Sequence, residues 1–90
     1  MGDPEVYLQL ASVAYGNQEY QEAIERFTEA IQLDPNNAKP YYNRGNAYSD
    51  LGEHQRAIQD YDKAIQLDPD DAKPYYNRGL AYHRLGEHQR

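Results

Sequence analysis

Three histidines, His54, His83 and His88, are the side chains of this 90-residue sequence best suited to metal binding or proton transfer, since imidazole ligates metals and titrates near neutral pH. Their placement argues against both roles. His83 and His88 lie five apart, off a single helical face and unlike the i, i+4 separation of a helical zinc pair. His54 and His88 occupy one position in two copies of an internal repeat, and an earlier copy has Tyr20 there, so aromatic filling is the better account. The acidic run Asp68-Pro69-Asp70-Asp71 lacks the alternating ligands, the glycine and the closing glutamate of a calcium loop, and reads as a turn followed by a helix cap. No phosphate-binding glycine loop, nucleophile elbow or paired buried carboxylate is evident. With no cysteine there is no thiolate zinc site, thiol nucleophile or disulfide framework. The sequence therefore predicts a protein that is not an enzyme and carries no cofactor and no metal.

The elements that position these residues come from a repeat. Residues 38–56, AKPYYNRGNAYSDLGEHQR, match residues 72–90, AKPYYNRGLAYHRLGEHQR, at 16 of 19 positions with an offset of 34. The same offset pairs AIERFTEAIQLDPNN (23–37) with AIQDYDKAIQLDPDD (57–71), so the period spans the chain. A fixed period of roughly 20 to 50 residues means stacked supersecondary units, each too small to bury a core alone. Within each unit the apolar residues are spaced as on a helix: Ala23, Ile24, Phe27, Ala30 and Ile31, then Ala57, Ile58, Tyr61, Ala64 and Ile65. Tyr41, Gly45, Tyr48 and Leu51 precede the second stripe, and Tyr75, Gly79, Tyr82 and Leu85 repeat that pattern. Asn37 and Asp71 are placed to cap helices, Pro40 and Pro74 fall in first turns, and Gly52 and Gly86 mark the turn inside a unit. This predicts five helices near 4–16, 20–33, 38–51, 54–67 and 72–85.

Large aliphatics and phenylalanine total only 14 of 90 residues, a scarcity that on its own suggests disorder. Ten tyrosines and ten alanines complete the apolar set. Antiparallel helices approach closely when small residues face large ones, so Gly45, Ala57 and Ala64 make room for Tyr41, Tyr48 and Tyr61.

This pattern resembles the tetratricopeptide repeat. It is carried by Tyr41, Gly45, Tyr48, Ala57, Tyr61, Ala64 and Pro69, and in the first unit by Tyr7, Ala11, Tyr20, Ala23, Phe27, Ala30 and Pro35, with a departure at Ala14 where the second unit has Tyr48. Arg44 and Arg78 also depart, standing where an aliphatic is usual. The resemblance implies an all-α, right-handed helical solenoid of antiparallel helix–turn–helix repeats, with one domain over 1–90: repeat one 4–37, repeat two 38–71 and a half repeat 72–90. It implies a concave groove, lined by the first helix of each unit, that presents itself to an extended peptide or partner helix. In this sequence the groove would hold Lys39, Tyr42, Asn43 and Asn46, then Lys73, Tyr76, Asn77 and Arg84, with Glu5, Leu8, Gln9, Ser12 and Tyr15 on the first helix and Ser49, Asp50, Leu80 and His83 beside the others. Asparagine amides pair with peptide backbone and lysine holds a carboxylate; the plainer alternative is a solvated helix face. Chaperone adaptors of this family clamp an acidic tail with five residues. Only Asn43 and Lys73 match them, whereas Leu8, Ser12 and Asn77 replace the other three, which predicts that the full clamp is absent.

Charge is uneven. Residues 1–37 carry net −6, residues 38–71 net −3 and residues 72–90 net +3, summing to the overall −6. Net negative charge disfavours nucleic acid as a partner, no run approaches the roughly 18 apolar residues of a membrane span, and the expected location is cytoplasmic. The acidic start, the basic end and a last helix with no second helix in its own unit make self-association through Tyr75, Tyr82 and Leu85 the rival expectation, that of a consensus-like or excised scaffold forming a homo-oligomer.

Overall fold

The computed structural model describes residues 2–88 and contains five helices: α1 (Pro4–Gly16), α2 (Tyr20–Leu33), α3 (Ala38–Asp50), α4 (His54–Leu67) and α5 (Ala72–His88). Each packs on its neighbours in sequence order, with α3 also touching α5, so the fold is an all-α stack of helical hairpins. No helix among the described residues is long and apolar enough to cross a membrane.

The expected caps at Asn37 and Asp71 form, and Asp3 supplies a third, unanticipated one. Asp3, Asn37 and Asp71 accept hydrogen bonds from the backbone N–H groups of Glu5, Lys39 and Lys73 at 2.9, 3.1 and 3.1 Å, satisfying donors that the first turn leaves unpaired. Helices α2 and α4 lack such caps. Their entry is fixed instead by the turn, in which the N–H of Glu19 reaches the carbonyl of Ala14 and that of Glu53 the carbonyl of Tyr48, each at 2.9 Å. The turn needs one left-handed residue, supplied by Gly52 at φ 80° in the second unit and by Gln18 at φ 62° in the first, where glycine would be the relaxed choice. Gly86 departs from expectation: α5 runs through it to His88 rather than ending near Leu85. The turn at Gly52 delivers a helix that packs back on α3, but no described residues pack back on α5 in that way, so continuing the helix, with one hydrogen bond gained per residue, wins.

Tyrosine against alanine and glycine builds the core. Ala11, Ala23, Ala30, Ala47, Ala57, Ala64 and Ala81 are buried, as are Phe27 and Tyr61. A Cβ added to Gly45 would lie 2.8 Å from the Tyr61 ring and 3.3 Å from the Ala57 carbonyl, so this crossing is closer than alanine allows. Each loop is tied to the helix that follows: the Tyr41 hydroxyl donates to the Pro35 carbonyl and the Tyr75 hydroxyl to that of Pro69, both at 3.1 Å.

The arginine that replaces an aliphatic has its own logic. Arg44 donates from Nε and Nη2 to both oxygens of Asp60 at 2.8 and 2.7 Å and from Nη1 to the Thr28 hydroxyl at 3.1 Å, joining α2, α3 and α4. The bond to Asp60 raises the Arg44 pKa against the opposing effect of burial, while burial pushes Asp60 upward despite the guanidinium. His54 is buried at the start of α4, and the His88 side chain lies outside the described residues.

Candidate peptide groove

Helices α1, α3 and α5 line one face, where three depressions follow one another. Between α1 and α3, Leu8, Gln9 and Ser12 face Lys39 and Asn43 across about 310 Å³. Between α3 and α5, Lys39, Tyr42 and Asn43 face Lys73 and Pro74 across about 550 Å³, with Leu67 and Asp68 closing the base. Farther along, Asn46, Ser49 and Asp50 face Asn77, Leu80 and Arg84 across about 250 Å³. Lys39 and Asn43 thus form the wall shared by the first two depressions.

The floor is an internal hydrogen-bond chain. Asn77 Nδ2 donates to the Tyr42 hydroxyl at 2.9 Å and to Asn46 Oδ1 at 3.1 Å, and Asn46 Oδ1 also accepts from the Tyr61 hydroxyl at 2.6 Å. Asn46 and Asn77 are therefore structural on one side of each amide. Their remaining groups, Asn46 Nδ2 and Asn77 Oδ1, make one donor and one acceptor suited to a peptide unit. Burial is the main reason the Tyr61 phenol pKa is pushed upward. Tyr15 bridges α1 to α3 by donating to Asp50 at 2.6 Å, and its pKa is also raised, by burial first and then by this bond.

Not every expected residue joins the groove. Tyr76 is 70% exposed and lines none of the three depressions. Lys73 is exposed, with Nζ 3.6 Å from Asp71, whereas Lys39 has no ion pair among the described residues. The proposed self-association set divides: Tyr75 and Tyr82 are exposed on the open side of α5, but Leu85 packs against the cluster of Ala57, Ile58, Tyr61 and Ala81. Leu67, Asp68 and Pro74 were not anticipated, although an antiparallel hairpin must return the end of α4 to the start of α3. No group of three metal-ligating side chains converges among the described residues.

A family model described as TPR repeat matches residues 12–52 and again 45–86. The chain belongs to the tetratricopeptide repeat family. Hsp70-Hsp90 organizing protein 1 of Arabidopsis thaliana is 47% identical over 38 residues, which is 42% of this chain and 7% of that protein. The chain thus spans less than a tenth of the curated relatives it matches. The Arabidopsis OM64 TPR domain superposes with a TM-score of 0.90 at 35% identity, over 96% of this chain and 71% of that one. The second TPR of Spaghetti (RPAP3), solved bound to the HSP90 peptide SRMEEVD, superposes with a TM-score of 0.90 at 30% identity, over 93% of this chain and 78% of that one. As a tetratricopeptide repeat protein, the chain is a protein–protein interaction module of a typically non-catalytic kind.

Proposed function

We propose that the α1–α3–α5 face binds an extended peptide and that Lys39, Asn43 and Lys73 hold one of its carboxylates. The observation that carries this reading is the placement of Lys39 and Asn43 on the wall shared by two depressions, opposite Lys73, with Lys39 unpaired among the described residues. Two ammonium groups and an amide supply donors for one carboxylate, while Asn46 Nδ2 and Asn77 Oδ1 meet the backbone beyond it. The acidic tail in the Spaghetti complex supports a ligand of this class. The five-residue chaperone clamp is a poorer fit, because Leu8 is buried and Asn77 is tied to Tyr42 and Asn46.

Calorimetric titration with SRMEEVD tests the proposal. Binding is expected to weaken about tenfold or more when Lys39 and Lys73 are both changed to Ala, and also when the peptide C-terminus is amidated. Equal affinity for the native and doubly substituted chains counts against it. A second reading, self-association through the open side of α5, is favoured by the exposure of Tyr75 and Tyr82.

A further inference from the structure

The depression of about 550 Å³ between α3 and α5 is not uniformly cationic. Lys39 and Lys73 stand on its walls, but Asp68 and Asp71 line it as well, so its four charges cancel. Asp71, which caps α5, places its carboxylate 3.6 Å from the Lys73 ammonium. Asp68 has no ion pair among the described residues. The rest of the floor is apolar. Ala38, Tyr42 and Leu67 are partly buried and carry the cluster of Ile31, Tyr41 and Ala64 up to the surface of the groove.

On the reading that Lys39, Asn43 and Lys73 hold a peptide carboxylate, we infer that this carboxylate is the peptide's C-terminus and that the depression selects a large apolar last residue, such as leucine, over aspartate. A terminal aspartate brings a second carboxylate, which needs donors beyond those that hold the first. One turn after Lys73 on α5 stands Asn77, whose Nδ2 is committed to Tyr42 and Asn46. Asp68 and Asp71 oppose the extra negative charge in a partly enclosed site, where charges are screened less than in open water. An alkyl side chain meets neither obstacle. It removes apolar area from water against Leu67, Ala38 and the Tyr42 ring, while the two ammonium groups and the Asn43 amide remain for the single terminal carboxylate. This preference sets the groove apart from the five-residue clamp for an acidic tail.

Calorimetric titration of the chain with SRMEEVD and with SRMEEVL, peptides that differ only in the last residue, tests the selection. SRMEEVL is expected to bind about tenfold tighter and to lose about tenfold or more when its C-terminus is amidated. In the chain with Asp68→Asn and Asp71→Asn, where asparagine keeps a capping side chain ahead of α5, the preference is expected to shrink to about threefold. Equal or tighter binding of SRMEEVD, with both peptides weakened by amidation, overturns the inference and leaves the carboxylate reading standing. A preference undiminished in the doubly substituted chain overturns the role given to the aspartates. If neither amidation nor Lys39→Ala with Lys73→Ala weakens binding, or if neither peptide binds at millimolar concentration, the carboxylate reading falls and the inference falls with it.

Discussion

Helices α3 and α5 begin segments identical at 16 of 19 positions, yet the same residues lead different lives. Tyr41 is 9% exposed and Tyr75 is 42% exposed. Arg44 joins three helices, whereas Arg78 holds one carboxylate at the surface. Gly52 makes a left-handed turn and Gly86 continues a helix. The difference lies in what covers each helix: residue type sets what a position can accept, and the neighbouring helix sets what it becomes.

The sharpest way to break the symmetry is to remove the acid from each arginine. Asp60→Ala strands a largely buried guanidinium and is expected to cost about 3 kcal/mol, the low end for a buried pair because one-fifth of the Arg44 side chain stays exposed. Asp62→Ala removes a surface pair and is expected to cost no more than about 1 kcal/mol. Urea unfolding of both variants measures the contrast, and equal losses would show that the Arg44 staple is no stronger than its surface counterpart.

Glycine gives a smaller effect of opposite sign in the two helices. Gly45→Ala forces a methyl against Tyr61, an overpacking that outweighs the gain in helix propensity, for a net cost of about 1–2 kcal/mol. Gly79→Ala meets empty space and is expected to stabilise by about 0.5–1 kcal/mol. Thermal melts that move in the same direction for both would contradict the packing described here.

The smallest effect is one of pH. Burial raises the Tyr61 phenol above its ordinary 10.0, so above pH 10 the folded state holds a proton that the unfolded chain releases. The stability linked to this group is complete below pH 10 and is lost progressively as pH climbs beyond it. Tyr61→Phe should lower stability at pH 8 through the lost bond to Asn46 and flatten the alkaline decline. An unchanged alkaline slope would assign the decline to other groups such as Tyr15.

How much was legible in the sequence follows from distance along the chain. Four helices start and end within one residue of expectation, because caps, prolines and apolar stripes act within a few positions. Arg44 was visible as a departure, but its partner Asp60 sits 16 residues away on another helix, where no local pattern leads. The groove residues were placed by family resemblance. That Asn46 and Asn77 spend half of each amide on the floor depends on contacts 15, 31 and 35 residues apart. Gly86 was misjudged because its copy Gly52 has a turn held in place by α4.

The tyrosine hydroxyls that reach back to Pro35 and Pro69 span only six residues each. The joint between one hairpin and the next therefore carries a short-range tie in each repeat, beside the longer-range links that Arg44 and Tyr15 make across it. A longer array made of such joints would behave as a coil spring whose pitch is written again into every winding, so that loosening one tyrosine would act first on the curvature at its own joint.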